Sequence, residues 1–140
     1  MPDVQHYLRF QLGYEWYGID VDNVIEVLHF MALTELPTSP SDLLGMMRLR
    51  ESIVPVTDLR LRFGLTAEYS LNTPIIVAKT SSGPIGLVVD DVDDLERIDE
   101  SQITPHDSSA SRYVTGVARL PNYLLLLLDI TLLRTEIPIL

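Results

Sequence analysis

The sequence contains no cysteine and a single lysine among its 140 residues. The lack of cysteine excludes disulfide frameworks, thiolate zinc sites and cysteine nucleophiles, and it is typical of a reducing compartment. Basic residues are scarce as well, with 10 Lys plus Arg against 20 Asp plus Glu and a net charge of −10. Because such a charge repels nucleic-acid phosphates and anionic lipid surfaces, the expected partners are other proteins and not nucleic acids.

Long apolar runs are also missing. The longest run, Tyr123 to Leu128, is far shorter than the roughly 18 residues that a membrane-spanning helix needs. Residues 1–10 have neither a basic region followed by an apolar stretch nor a small-residue cleavage site. These features predict a cytoplasmic protein with no direct membrane insertion.

The motifs of common catalytic and cofactor sites are absent. The three histidines lack the spacing that places two imidazoles on one helical face, and neither a Gly-x-Ser-x-Gly nor a phosphate-binding glycine motif occurs. We therefore predict no enzyme activity, no catalytic residue, no metal and no cofactor. The acidic stretch from Asp90 to Glu96 leaves an alternative open, a small ion- or ligand-binding barrel, because Ca²⁺ prefers several carboxylate oxygens. The stretch lacks the spacing and glycine of a calcium loop, and a solvated acidic edge is the simpler interpretation.

An internal repeat divides the chain into halves of about 70 residues. Four landmarks recur in the same order, 68 and then 71 residues apart: Gly18–Val24 with Gly86–Val92, Pro37 with Pro105, Gly45–Leu49 with Gly116–Leu120, and Asp58-Leu59 with Asp129-Ile130. We predict a single domain over residues 1–140, with a first lobe at about 15–70, a second at about 71–130 and a C-terminal helix at 130–137. Exchange of the N-terminal strand between the lobes is a further option.

Each half contains several short strands bounded by Gly, Pro and Asn. Alternating apolar and polar residues predict a hairpin of Leu8–Leu12 with Glu15–Ile19. A cap at Asp20 or Asp22 then predicts a short helical turn that carries Val24, Val27 and Leu28 on one side. Halves this short cannot supply parallel crossovers, so the fold is predicted to be mostly β, with two small antiparallel barrels and a few short helices.

Two further features of the sequence concern its core and its charges. The apolar run from Tyr123 to Leu128 predicts a strand buried on both faces, so the two barrels should share a core. Glu26, beside an apolar stripe, and Arg50, at a predicted hairpin tip, have no pairing that spacing alone assigns. The arginine group Arg48, Arg50, Arg60 and Arg62 fits either solvated faces or a docking patch for an acidic partner.

Several motifs together resemble the CheW family of chemotaxis coupling proteins. They extend from about Tyr7 to Leu133 and include Tyr17-Gly18-Ile19-Asp20, Val24-Ile25-Glu26-Val27, Leu36-Pro37, Leu49-Arg50, Val54-Pro55-Val56-Thr57-Asp58-Leu59-Arg60, Gly86-Leu87-Val88-Val89-Asp90 and Thr115-Gly116. The resemblance implies two pseudo-repeated five-stranded SH3-like barrels that share a hydrophobic core. It also implies a non-enzymatic adaptor that couples the cytoplasmic hairpin tip of chemoreceptors to the regulatory domain of the histidine kinase CheA.

The resemblance also assigns residues. Receptor-binding positions fall on Val24, Glu26 and Arg50. Kinase-binding positions fall on Leu33, Leu44, Gly45 and Arg48. Structural positions fall on Gly18, Gly86, Pro55, Asp58 and Gly116. The protein would then be held at membrane receptor arrays through its partners.

The chain departs from the family pattern at two places. Where the family usually has Asn-Leu-Arg-Gly, this chain reads Arg48-Leu49-Arg50-Glu51, so Glu51 could compete for Arg50. After Pro105 the family often has an aromatic that serves a second kinase contact, whereas this chain continues with His106-Asp107-Ser108-Ser109. We predict that the second kinase interface is weakened or altered. A diverged paralogue in another motility or chemosensory array fits these changes equally well.

Overall fold

The computed structural model describes residues 3–34, 41–105 and 112–137. Its strands are β1 (Val4–Leu12), β2 (Glu15–Asp20), β3 (Val24–His29), β4 (Leu43–Leu49), β5 (Ser52–Asp58), β6 (Pro74–Thr80), β7 (Gly83–Val88), β8 (Asp91–Asp99), β9 (Ile103–Pro105), β10 (Val114–Arg119) and β11 (Leu124–Leu128). Its helices are α1 (Leu59–Arg62) and α2 (Ile130–Thr135), and single 3-10 turns occur at Val21–Asn23 and Glu100–Gln102.

The strands form two sheets, which confirms the predicted mostly β fold. The first sheet has the order β8-β1-β2-β11-β10-β9 and the second has the order β3-β6-β7-β5-β4. Neighbours are antiparallel except for β2 with β11 and β5 with β7, which are parallel. The first sheet has a sixth strand because β9 pairs with β10. At the matching place in the second sheet there is only an isolated bridge between Thr34 and Met46.

The two halves of the repeat exchange their first hairpins. β1 and β2 pair with β8 and β11 from the second half, while β6 and β7 pair with β3 and β5 from the first. The register follows the repeat, because Gly18 lies opposite Leu127 and Gly86 lies opposite Val56. Each sheet is therefore built from strands of both halves. The boundary between lobes near residue 70 describes the two halves of the sequence repeat, and it stays a prediction.

A shared core lies between the sheets. Its fully buried side chains include Phe10 and Ile19 from the first sheet and Ile76 and Leu87 from the second. Two smaller clusters fill the sheets individually, one around Val56 and one around Leu125, Ile98 and Ala118. Burying a side chain of this size stabilises a fold by about 1.5–3 kcal/mol, so most of the stability depends on both sheets being present.

The residues predicted to have structural roles lie in buried positions: Gly18, Gly86, Pro55, Asp58 and Gly116. The first two sit where the parallel strands approach each other. A Cβ at Gly18 would lie 3.0 Å from Leu125 Cδ2, and one at Gly86 would lie 3.1 Å from Val56 Cγ2. Glycine at both repeat-related positions thus lets the exchanged hairpins pack closely.

The predicted helical turn that carries Val24, Val27 and Leu28 is wrong. Asp20 caps only the 3-10 turn Val21–Asn23, through its side chain to the Asp22 N–H. The following residues form β3, which pairs with β6. β-Branched residues favour strands, and the hydrogen-bonding edge of β6 outweighs the local capping signal.

The run from Tyr123 to Leu128 packs on both faces, as predicted. Leu126 and Leu128 pack in the shared core, whereas Leu125 and Leu127 belong to the cluster with Ile98 and Ala118. Only the first residue of β11, Leu124, is largely exposed, at 52%.

Candidate functional site

Glu26 and Arg50 form an ion pair between β3 and the turn that joins β4 to β5. Arg50 Nη1 donates to Glu26 Oε1 over 2.8 Å. β3 and β4 are at opposite ends of the strand order in the second sheet, so the pair spans the gap where this sheet closes on itself. The Arg50 side chain is 72% exposed, and an exposed pair of this kind contributes at most about 1 kcal/mol. The pair is therefore a surface feature available to a partner.

The backbone of Arg50 is unusual. Its φ of 55° lies in the left-handed region, which a non-glycine residue adopts at a cost of roughly 1–2 kcal/mol. Two-residue hairpin turns require such angles, and the turn Arg50-Glu51 joins strands of fixed register. The turn orients the guanidinium toward Glu26 and not toward the neighbouring Glu51.

Apolar side chains are exposed next to this ion pair along the chain. Ile25 and Val27 flank Glu26 on β3 and are 44% and 42% exposed, and Ile53, just after the turn, is 59% exposed. Val24, the third residue predicted to bind the receptor, is partly buried against the shared core. Because side chains alternate along a strand, Ile25 and Val27 lie on the outer face of β3, opposite to Glu26. Exposed apolar residues and an exposed charge pair on neighbouring positions suit a protein partner better than a small substrate.

The residues predicted to bind the kinase divide between the two ends of β4. Leu33 and Leu44 are partly buried against the interior of the second sheet, and Gly45 approaches them where Thr34 and Met46 exchange backbone hydrogen bonds of 2.8 and 2.9 Å. Arg48 lies at the other end, exposed, with its Nε 3.4 Å from the Arg50 carbonyl. The structure therefore places Arg48 beside Arg50 and away from Leu44.

Two members of the arginine group are neither solvated nor free to dock. Arg60 is 3% exposed and donates through Nε and Nη2 to Asp58, which is fully buried, and through Nη1 to Asp90 and the Glu68 carbonyl. Burial alone would lower the pKa of Arg60, but the hydrogen bonds and charges of Asp58 and Asp90 raise it above its usual value. Arg60 remains charged and connects α1 to Asp58 at the end of β5, to Asp90 between β7 and β8, and to the segment after α1.

Arg62 joins residues that are far apart in the sequence. Its guanidinium reaches Asp42 before β4, the Tyr113 hydroxyl before β10 and Glu136 after α2. Burial would raise the pKa of Glu136, but the hydrogen bonds from Tyr113 and Arg62 outweigh it and lower the pKa. Sequence spacing gives no indication of this network, since Arg62 and Glu136 alone are 74 residues apart.

Tyr69 donates its hydroxyl to Asp58, and burial together with this bond raises the pKa of Tyr69 to about 12. Because the pKa of Tyr69 is higher in the folded state than in the unfolded state, its protonated hydroxyl stabilises the fold. This contribution to the free energy of unfolding is complete below the unfolded-state pKa near 10, and it decreases as the pH rises toward 12. We expect the difference in free energy of unfolding between the protein and a Tyr69→Phe variant to be constant from pH 8 to 10 and to shrink above pH 10. Urea unfolding across this range measures it, and a difference that stays constant to pH 11.5 would contradict the assignment.

The acidic stretch lies on β8, an edge strand of the first sheet. Asp93 and Glu96 pair with Arg9 at 2.7 Å, and the Arg9 guanidinium lies over the rings of Trp16 and Tyr123. In the described part of the chain, no three Asp, Glu or His side chains converge as metal ligands. No helix in the same ranges is long and apolar enough to cross a membrane.

The second predicted kinase contact, at His106 to Ser109, lies outside the described residues.

Comparisons with known proteins agree on one family. A family model described as a CheW-like domain matches residues 6–137. Chemotaxis protein CheW of Klebsiella aerogenes is 36% identical over 131 residues, which cover 90% of this chain and 79% of the relative. Protein FrzA of Myxococcus xanthus is 34% identical over 120 residues, which cover 82% of this chain and 74% of the relative. The crystal structure of scaffolding protein TtCheW from Thermoanaerobacter tengcongensis matches with a TM-score of 0.86 at 30% identity, covering 99% of this chain and 95% of that one.

Proposed function

Because this chain belongs to the CheW family, we propose that it couples chemoreceptors to the histidine kinase CheA. The protein is a non-enzymatic scaffold or adaptor of chemotaxis. The partners themselves are proposed from the family pattern of residues. The protein would reach membrane receptor arrays through those partners.

The observation that carries the receptor proposal is the exposed Glu26–Arg50 ion pair, together with the exposed apolar residues that alternate with Glu26 along β3. Ile25 and Val27 on β3 offer apolar area, and burying such area drives protein association. The exposed guanidinium of Arg50 gives the surface a charge that selects an acidic or polar partner group. A receptor hairpin tip of matching character is the proposed occupant.

The kinase is proposed to bind the opposite end of β4. Leu33 and Leu44 have apolar atoms that remain partly accessible there, and the backbone bridge between Thr34 and Met46 holds them in place. Arg48, which the family pattern also assigns to the kinase, lies at the other end of β4 beside Arg50. The kinase would then contact β4, and the receptor would contact β3 and the turn after β4, with no residue in common.

The test is binding of the purified protein to a receptor cytoplasmic fragment and to the CheA regulatory domain, measured separately by biolayer interferometry. We expect Arg50→Glu to weaken receptor binding at least tenfold, about 1.4 kcal/mol, since it reverses the exposed charge and places it beside Glu26. Kinase binding should change less than twofold. Arg119→Glu, the same charge reversal on exposed β10, is the matched control and should leave receptor binding intact.

The double variant Glu26→Arg/Arg50→Glu separates two causes. If the ion pair acts by holding the turn, the swapped pair restores binding; if the arginine itself contacts the receptor, binding stays weak. Receptor binding that is unchanged in Arg50→Glu, with a folded protein by circular dichroism, would refute the assignment of this surface.

A further inference from the structure

A second surface lies away from the residues assigned to receptor and kinase. An open cleft of about 1040 Å³ separates the β1–β2 turn from the segment that follows α1. Leu12, Tyr17 and Phe63 line it, and the rings of Tyr17 and Phe63 pack at an interplanar angle of 47° with their centroids 5.7 Å apart. Tyr14 at its mouth is 99% exposed, and Tyr69 is 44% exposed. Aromatic residues left open to solvent around a concave floor are typical of a binding surface.

The charge of the cleft is negative. Arg60 lines it, but its guanidinium is already paired with Asp58 and Asp90. Glu15 and Glu68 are exposed lining residues, and no ion pair is formed by either within the described residues. An incoming cation would therefore meet two unpaired carboxylates next to aromatic faces, which attract guanidinium and ammonium groups by electrostatics.

The internal repeat indicates which group fits this space. Phe63 and Glu15 in the cleft correspond to Arg134 and Gly83 in the second half, by the spacings of 71 and 68 residues. There, Arg134 is buried, donates its Nε to the Pro84 carbonyl over 2.9 Å and lies so close to Gly83 that a Cβ would be 2.9 Å from its Nη2. The second half thus fills the position between its closing helix and its first hairpin with an arginine. In the first half that position is held by Phe63, and Arg60, which also lines the cleft, is committed to Asp58, Asp90 and the ring of Tyr69.

We propose that the cleft binds a segment of a partner protein in which an arginine is flanked by apolar residues. The guanidinium lies over the aromatic floor, where Glu15 and Glu68 balance its charge, and the apolar neighbours cover Tyr14 and Leu65 at the mouth. This surface is separate from the one around Glu26 and Arg50, so the protein would bind a further partner, or a further part of the same partner, without displacing the receptor.

The experiment uses a peptide as the probe. Acetyl-Ser-Leu-Arg-Leu-Ser-amide is titrated into the ¹⁵N-labelled full chain, alongside the same peptide with citrulline, a neutral isostere, in place of arginine. We expect saturable amide shifts at Gly13, Tyr14 and Ala67, and binding of the citrulline peptide at least about fivefold weaker. Argininamide alone should bind more weakly than the arginine peptide, because it lacks the apolar neighbours.

Two variants locate the site. The double variant Glu15→Gln/Glu68→Gln should bind the arginine peptide about fivefold more weakly and should bind the citrulline peptide with unchanged affinity. Asp94→Asn/Glu100→Gln removes the same charge from exposed positions elsewhere and should change neither affinity. Equal binding of the two peptides, equal weakening by both double variants, or argininamide as tight as the peptide would each overturn the proposal. No binding at millimolar peptide would overturn it as well. The receptor and kinase assays do not enter these outcomes.

Discussion

Replacing Arg60 with methionine is expected to destabilise the protein by about 3–5 kcal/mol, the usual cost of breaking a buried ion pair by removing one partner. Asp58 is fully buried and receives two hydrogen bonds from the Arg60 guanidinium. Without them the carboxylate keeps, among the residues that the structure describes, the hydrogen bonds from the Arg60 backbone N–H and the Tyr69 hydroxyl. Methionine fills much of the volume, so the loss reflects the uncompensated charge. Urea unfolding at pH 7 measures it.

Two companion variants identify that charge as the cause. Asp58→Asn/Arg60→Met removes both charges and should lose less stability than Arg60→Met alone. Arg60→Lys keeps the positive charge but cannot make the paired hydrogen bonds. Its free energy of unfolding should therefore lie between those of the unsubstituted protein and Arg60→Met. A loss below about 1 kcal/mol for Arg60→Met would mean that the carboxylate is stable without its partner.

Gly45→Ala is expected to cost about 3 kcal/mol or more. The new Cβ would lie 2.4 Å from the Thr34 carbonyl oxygen, a backbone atom that cannot move aside without breaking the bridge to Met46. Gly45 also has a φ of 154°, which side chains rarely adopt, so strain of about 1–3 kcal/mol adds to the clash. Thermal and urea unfolding both report the loss.

Gly64→Ala is the matched control. Its φ is 79°, but no atom lies within 4 Å of the added Cβ, so only backbone strain of about 1 kcal/mol remains. Similar losses for the two variants would contradict the clash at Gly45. The loss of stability also affects binding tests at Gly45. A Gly45 variant could fail to bind the kinase because it is unfolded, so its folding has to be measured first. Arg48, exposed on the same strand, is the safer position to probe.

The repeat explains why much of the fold could be predicted. Glycines and helix-capping aspartates recur because both halves need them at the same places, so Gly18, Gly86, Asp58 and Asp129 are visible as a pattern. The Asp20 cap predicts a helical turn where the structure has the strand Val24–His29, because the cap is a local signal, whereas the strand is stabilised by pairing with β6, about 50 positions later in the chain.

The site was predictable in part. The family resemblance assigned Glu26 and Arg50 to one surface, but their pairing depends on how the second sheet closes. Arg60 and Arg62 could not be separated from Arg48 and Arg50 by sequence, because burial depends on the segment after α1 and on α2. Nothing in the spacing of Tyr14, Phe63 and Tyr69 indicated that they meet around a cleft.

The exchange of hairpins between the halves has a consequence for synthesis on the ribosome. β3 to β7 are complete once residue 88 has emerged, so the second sheet can form early. β1 and β2 emerge before any of them, yet β8, which pairs with β1, ends at residue 99, and β11, which pairs with β2, ends at residue 128, 108 residues after β2 ends at residue 20. At about 5–20 residues per second, β2 therefore waits roughly 5–20 s for β11, its second strand partner in the first sheet. The apolar face of the first hairpin can pack on the second sheet earlier, but the backbone edge of β2 is left without its partner for most of synthesis, and that edge is where the nascent chain most needs protection from aggregation.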